Sequence, residues 1–253
     1  MSDLDELGAE RALAIATDIP LQPELELPAH ALAQQKAEAR ARFRAVRDAL
    51  PERERRAAER RILERLLEHP ALMRARTVLL YASHGSEVST DELGRELLRR
   101  GQAIAYPKMT ATPGLMTLWL VRSLEALVPH RYGIRAPDIT RATPIEPLAL
   151  EAVIYPGLAF TRALDRLGRG GGYYDRLSAR LPEECVRIGL AFEVQMAEAL
   201  PVEPHDAKMH WVVTEASLYP YATAPAPDAA AAARATQVAE PAPEAARRTE
   251  PQP

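Results

Sequence analysis

Ala152-Val153-Ile154-Tyr155 is a short apolar run. It leads through a loop to Arg166-Leu167-Gly168-Arg169-Gly170-Gly171-Gly172-Tyr173-Tyr174-Asp175-Arg176. A segment with helical patterning runs from Tyr174 to Leu181, and a second apolar run, Val186 to Phe192, follows it. The order is strand, glycine-rich loop, helix, strand. A strand that reaches the next strand through a helix pairs with it in parallel. The same alternation extends outward. Thr77–Tyr81, Ala103–Tyr106, Leu115–Val121 and Trp211–Thr214 read as further strands. Helices are expected from Leu32 to Ala49, stopped by Pro51, and from there to Glu68, with Ile62, Leu63, Leu66 and Leu67 on one side. Ser89-Thr90-Asp91-Glu92 reads as a capping box opening a helix that ends near Gly101. A last helix is expected near Val194–Leu200. The fold class is therefore α/β, a three-layer α/β/α sandwich with a mainly parallel, Rossmann-like sheet. Ligands of such sheets bind beyond the carboxyl ends of the strands. That rim would hold Ser83–Val88, Pro107-Lys108, Pro156–Gly172 and Glu193–Gln195.

The whole chain has 253 residues, 47% of them hydrophobic and 26% charged, enough for one sizeable core. Lys plus Arg is 32 and Asp plus Glu is 35, a net charge of −3, which argues against a nucleic-acid or anionic-membrane partner. The Arg-rich run from Arg53 to Arg65 is interleaved with Glu52, Glu54, Glu59 and Glu64 and reads as a salt-bridged exposed face. The single cysteine, Cys185, rules out an internal disulfide and a cysteine metal cluster, and is expected to face the core. No run approaches the roughly 18 apolar residues of a membrane span, and the start is acidic, so a cytoplasmic location is expected. Residues 1–29 are weakly patterned and broken by Pro20, Pro23 and Pro28. Residues 223–253 are rich in Ala and Pro and lack the apolar residues to offset their ordering entropy. The expected organisation is a weakly ordered extension (1–29), one folded domain (30–222) and a disordered tail (223–253).

The chemistry concentrates in the glycine loop. Glycine permits positive φ and lets a ligand approach backbone N–H groups. Successive N–H groups before a helix form an anion cradle. Arg166 and Arg169 add guanidinium groups suited to phosphate, and Asp175 is a carboxylate that can hold a divalent cation bridging phosphates. The loop is not a P-loop, since no Lys-Ser or Lys-Thr follows the glycines, and it is not G-x-G-x-x-G. A plain surface turn is the ordinary alternative, but a turn does not need three adjacent glycines flanked by arginines and an acid.

The stretch from Tyr155-Pro156-Gly157-Leu158-Ala159-Phe160 to Arg166–Arg176 resembles the signature of the 5-formyltetrahydrofolate cyclo-ligase family, also called 5,10-methenyltetrahydrofolate synthetases. Lys36-Ala37-Glu38-Ala39-Arg40 resembles the family's Lys-x-x-x-Arg, Glu87-Val88-Ser89-Thr90 its Glu-Val-x-Thr, and Tyr132-Gly133-Ile134 its Gly-Ile turn. Gly189-Leu190-Ala191-Phe192, Gln195, Leu200-Pro201, His205-Asp206 and Val213-Thr214-Glu215 resemble its C-terminal part. The likeness spans Lys36 to Glu215 in the right order.

The resemblance implies an enzyme that uses ATP and Mg²⁺ to cyclise 5-formyltetrahydrofolate to 5,10-methenyltetrahydrofolate, with ADP and phosphate released. Phosphorylation of the formyl oxygen makes a leaving group, and N10 then attacks the activated carbon. Such a reaction needs positioning and charge stabilisation rather than a protein nucleophile. By the same resemblance, Lys36, Arg40, Arg166, Leu167, Gly168, Arg169, Gly170, Gly171, Gly172, Tyr173 and Tyr174 bind ATP. Glu87 holds the pterin side, and Arg169, Gly170, Gly171, Gly172 and Tyr173 border the formyl end. Arg169 and Lys36 carry the catalytic charge, and Asp175 and Asp206 support Mg²⁺. Without the resemblance, Lys36 and Arg40 read as a solvated helix face, and Glu87 and Asp206 as loop carboxylates. Trp119 and Phe160 read as core or pocket residues, with core favoured. A monomer or weak dimer is expected. The pattern departs at Thr161, where the family has Asp, at Leu164, where it has Gly, and at Ala136-Pro137 and His210, where it has acids. These departures motivate a second hypothesis, a non-catalytic folate- or nucleotide-binding protein.

Overall fold

The computed structural model describes residues 29–203 and 205–220. The expected extension, except Ala29, and the expected tail lie outside the described residues. In chain order the elements are α1 (Ala29–Asp48), α2 (Glu52–Glu68), α3 (Pro70–Arg74), β1 (Thr77–Leu79), α4 (Asp91–Arg99), β2 (Ala103–Met109) and β3 (Met116–Val121). The hairpin β4 (Leu127–Pro129) and β5 (Arg135–Pro137) follows, then β6 (Thr143–Ile145), β7 (Ala152–Pro156), β8 (Ala159–Thr161) and β9 (Arg166–Leu167). The chain continues with α5 (Tyr173–Ser178), β10 (Val186–Leu190), β11 (Met196–Ala197), β12 (Trp211–Val213) and β13 (Leu218–Pro220).

The main sheet has eight strands in the order β13-β12-β10-β7-β1-β2-β3-β6. The central five pair in parallel, and β13, β3 and β6 are antiparallel additions at the edges. The expected α/β class with a mainly parallel sheet is therefore present. The parallel strands read as unbroken apolar runs because both faces are covered. In β7, Ala152 and Ile154 face one core with Ile62, Leu66, Leu72, Leu93 and Leu97 of the helices α2–α4. Val153 and Tyr155 face the other, with Leu177 of α5, Phe160, Leu164 and Cys185. That second outer layer is thin, with one short helix and the three-stranded sheet β11-β8-β9. Phe43 of α1 packs on this small sheet with Leu158, Ala159 and Leu167.

Four local expectations are corrected. Strand β3 returns antiparallel to β2 because residues 110–115 are too few to carry a crossover helix. The helix expected near Val194–Leu200 is a 3₁₀ turn at Glu193–Gln195 followed by β11, because the buried Gln195 turns inward and donates to Gly157 O and Leu158 O. The capping box at Ser89 does not form, and α4 starts at Asp91. Thr90, fully buried, donates instead to Tyr81 O at 2.5 Å. Arg166–Leu167 is strand β9, not loop. Phe160 and Cys185 are core residues as expected. Trp119 is half-buried on β3 and donates to Thr117 Oγ1.

Gly189 and His210 each give a prediction. A Cβ on Gly189 would lie 2.4 Å from Phe160 Cε1, a fully buried ring with no room to retreat. Gly189→Ala is expected to cost about 2–3 kcal/mol by overpacking, and a chemical-denaturation midpoint equal to wild type would contradict it. His210 faces Arg187 at both ring nitrogens: the Arg187 backbone N–H donates to Nδ1 (3.2 Å) and its Nη2 lies 2.9 Å from Nε2. A neutral imidazole accepts at only one nitrogen, so one of these contacts sets donor against donor. Burial, then Arg187, pushes the His210 value below 6.5, and burial does the same at His69. Because the folded values are depressed, this stability is fully present above about 6.5. It is lost as pH falls from there through the folded values, at up to about 1.4 kcal/mol per pH unit per histidine. His210→Asp, which can accept both Arg187 donors, should flatten that acid loss in urea melts between pH 7.5 and 5.5.

Candidate active site

A cavity of about 460 Å³ opens at the carboxyl ends of β2 and β7, where the parallel sheet places ligands. Its walls come from Glu87, Pro107, Pro156-Gly157, Arg166 and the whole run Gly168–Asp175, with Met109, Met116 and Ile134 supplying apolar surface. Of the expected rim, Ser83–Val88 contributes Glu87. Glu193–Gln195 does not line the cavity, but Gln195 braces its Gly157 edge.

The glycine loop is the wall that carries charge. Gly170 (φ +97°) and Gly172 (φ +66°) occupy backbone conformations that side chains strain, and Gly172 leads directly into α5. Arg169 extends from the loop across the cavity, and its Nη2 lies 2.6 Å from Glu87 Oε1. The other oxygen, Oε2, accepts from His84 N at 3.0 Å. Glu87 is thus held at both oxygens while its side chain is 9% exposed. Arg166 lies deeper. Its Nη2 donates to Asp175 Oδ1 at 2.5 Å, and its guanidinium lies 5.7 and 5.9 Å from the Tyr155 and Tyr174 ring centres. Burial, with Glu87 adding to it, holds the Tyr174 phenol far above its ordinary range, and its hydroxyl has no hydrogen-bond partner among the described residues. Arg176 Nη1 donates to Gly171 O at 3.0 Å, pinning the loop from α5.

The structure separates the expected site residues into two groups. Glu87, Arg166, Gly168–Gly172, Tyr173, Tyr174 and Asp175 surround the cavity. Lys36, Arg40 and Asp206 lie outside its wall, along α1 and the 203–206 segment. Arg40 Nε donates to Gly168 O at 3.1 Å, so α1 grips the loop from behind. Lys36, 7% exposed, is no solvated-face residue. Its Nζ donates to Glu203 Oε2 (2.6 Å) and Asp206 Oδ2 (2.7 Å). Burial would lower the Lys36 value, but the Asp206 and Glu203 hydrogen bonds raise it above its ordinary level. Burial would raise Asp206, and Lys36 with the Glu203 N–H pulls it below. Leu167 is a packing residue of β9, and its carbonyl accepts from Leu158 N.

Some wall residues carried no signal in the sequence. His130 and Arg135 come from the β4–β5 hairpin, whose strands are too short for an alternation pattern, and between them lies Ile134 of the Gly-Ile turn that the resemblance marked. Arg47 reaches the Glu87 loop from α1 through Ser86. A buried basic residue on an Arg-rich helix looks like its exposed neighbours in sequence.

The departures from the family pattern also have a local account. Thr161 donates to Asp165 Oδ2 at 3.1 Å, and Lys208 Nζ lies 3.1 Å from Asp165 Oδ1, so the β8–β9 turn still holds a carboxylate. Leu164 is the non-glycine with positive φ (65°) among the described residues, and its side chain is fully buried. Burial worth about 2 kcal/mol offsets backbone strain of about 1–2 kcal/mol. Ala136 is buried in the cavity wall, where it adds apolar surface and no charge.

A divalent cation needs oxygen donors. Asp175 and Asp206 each make their hydrogen bonds through one oxygen, Asp175 Oδ1 with Arg166 and Ala207 N, and Asp206 Oδ2 with Lys36 and Glu203 N. Each keeps its second oxygen outside those bonds, which fits one-oxygen ligation. Among the described residues, Glu203, His205 and Asp206 also bring ligand atoms within 4.8 Å of one another. No described helix is long and apolar enough to cross a membrane.

Known proteins resemble this chain in sequence and in fold. A 5-formyltetrahydrofolate cyclo-ligase of Escherichia coli K12 is 29% identical over 157 residues, covering 61% of this chain and 86% of that protein. The mouse protein of the same name is 28% identical over 170 residues, covering 62% and 81%. The NMR structure of Aquifex aeolicus 5,10-methenyltetrahydrofolate synthetase superposes with a TM-score of 0.66 at 28% identity, over 76% of this chain and 95% of that one. Residues 32–215, nearly the whole described region, match one family throughout, and the chain belongs to the 5-formyltetrahydrofolate cyclo-ligase family.

Proposed function

We propose that this protein converts 5-formyltetrahydrofolate to 5,10-methenyltetrahydrofolate at the expense of ATP. The observation that carries the proposal is the position of the glycine loop. Gly168–Gly172 lines the cavity that holds Glu87, and the same loop is gripped by Arg40 one helical turn from Lys36. One loop therefore touches both a folate-sized cavity and a cationic helix face.

In this scheme the Glu87 carboxylate accepts paired N–H donors of the pterin, and Met109, Met116 and Ile134 enclose its apolar parts. Backbone N–H groups of Gly168–Gly172 face the phosphates, with Lys36, Arg40 and Arg166 offsetting their charge. Arg169, on the loop between the two, stabilises the phosphoryl group as it passes to the formyl oxygen. N10 then attacks the activated carbon and phosphate leaves, with no protein nucleophile required. Asp206 and Asp175 are the residues that would hold Mg²⁺, which offsets phosphate charge when bound.

The test is absorbance growth of the methenyl product with purified protein, ATP, Mg²⁺ and 5-formyltetrahydrofolate. ADP release should depend on the formylfolate, and a chelator should abolish turnover. Folded protein that binds formylfolate and ATP without releasing ADP would instead establish a binding protein.

A further inference from the structure

Arg47, on the last turn of α1, is 4% exposed. A guanidinium buried that deeply is retained only against specific partners. Its Nε donates to Ser86 Oγ at 2.9 Å, and Ser86 Oγ in turn donates to Asp48 Oδ1. Arg47 Nη2 lies 3.6 Å from the same Asp48 oxygen, and Nη1 is buried with no hydrogen-bond partner among the described residues. Ser86 precedes Glu87, within a tight turn closed by Glu87 N donating to His84 O (3.4 Å) and His84 N donating to Glu87 Oε2 (3.0 Å). The two ends of this chain of bonds are therefore α1, which also carries Lys36 and Arg40, and the carboxylate that faces the cavity.

The charges tell the same story. Burial depresses the Arg47 value, the negative charge of Glu87 and then Asp48 opposes that, and Arg169 adds to it. Glu87 is thus paired with the Arg169 guanidinium directly and tied to the Arg47 guanidinium through the neighbouring Ser86, two groups of different character. Arg169 is 42% exposed on a glycine loop and free to change partner. Arg47 is locked in the interior.

We propose that Arg47 is a positioning residue for folate recognition: it fixes the 84–87 turn through Ser86 and keeps a positive charge beside Glu87 when Arg169 turns to the phosphates. This rests on Glu87 being the pterin-binding carboxylate. Without Arg47, a carboxylate that is largely desolvated would lose its permanent counter-charge and its anchored turn together.

The experiment compares steady-state kinetics of wild type, Arg47→Met, Arg47→Lys and Ser86→Ala in the methenyl assay. Arg47→Met is expected to raise KM for 5-formyltetrahydrofolate at least tenfold, with KM for ATP and kcat within threefold. Arg47→Lys, which restores the charge, should recover part of the loss, and Ser86→Ala should raise the folate KM about threefold. A general packing defect would instead move both KM values, or kcat, and would not be relieved by lysine. Should Arg47→Met fail to fold, Arg47→Lys and Ser86→Ala decide the matter. Folate KM values equal to wild type in both overturn the proposal. Wild-type protein that neither binds formylfolate nor turns it over would overturn the proposed function itself, and an active wild type with unaffected variants overturns the role of Arg47 alone.

Discussion

Arg169→Ala should slow turnover about 100-fold or more and leave the fold standing. Removing one preorganised donor at a developing charge costs about 10²–10³ in rate in other enzymes, and in the proposed scheme Arg169 acts at both ends of the reaction. It lies on the glycine loop and touches the carboxylate across the cavity. Its stability contribution should be small. The guanidinium is 42% exposed, and pairs of that exposure are worth about 1 kcal/mol or less. Arg169→Lys should recover only part of the rate, because an ammonium cannot present a planar fork to two acceptors. Stopped-flow single turnovers separate the chemical step from product release. A chemical step within threefold of wild type would show that Arg169 is a structural latch on Glu87 and nothing more.

The loop that carries Arg169 was legible in the sequence because its composition is costly. Three adjacent glycines flanked by arginines have no use in an ordinary turn. The central strands were legible for a related reason: both faces of β7 and β10 are covered, so apolar residues run unbroken. The edges were harder. Strand β3 has the same composition as a parallel strand, and only the length of residues 110–115 reveals its direction. The β4–β5 hairpin, which delivers His130 and Arg135 to the cavity, is too short for periodicity to register. The pairings were not legible at all. Glu87 and Arg169 are 82 residues apart, and Lys36 and Asp206 are 170 apart. Whether a lysine on an Arg-rich helix is solvated or buried depends on what the chain brings back to it much later, and no local pattern records that.

Lys36 offers the sharpest case, because its replacement should impair both binding and stability. Lys36→Met removes the only ammonium between Glu203 and Asp206 among the described contacts and leaves two carboxylates facing one another. Breaking a buried pair by removing one partner costs about 3–5 kcal/mol. Glu203 is 40% exposed and Asp206 17%, so solvent relieves part of this and a loss of about 2 kcal/mol is expected. The wild-type interaction has a defined pH window. Asp206 is depressed, so its contribution is present above about 3.8 and lost as pH falls through its folded value. Lys36 is raised, so its contribution is present below about 10.5 and lost as pH rises through its folded value. In the variant, Asp206 has lost the cation that held its value down, so it takes up a proton more readily and relieves the repulsion. The stability deficit should therefore hold through neutral pH and shrink in acid as pH falls toward about 3.8, whereas loss of apolar packing would give a deficit flat with pH. In the same protein KM for ATP should rise at least tenfold, while binding of 5-formyltetrahydrofolate stays within threefold, since Lys36 does not line the cavity proposed for it. A deficit that is flat with pH, together with an unchanged KM for ATP, would mean that the ammonium only fills space between α1 and the 203–206 segment.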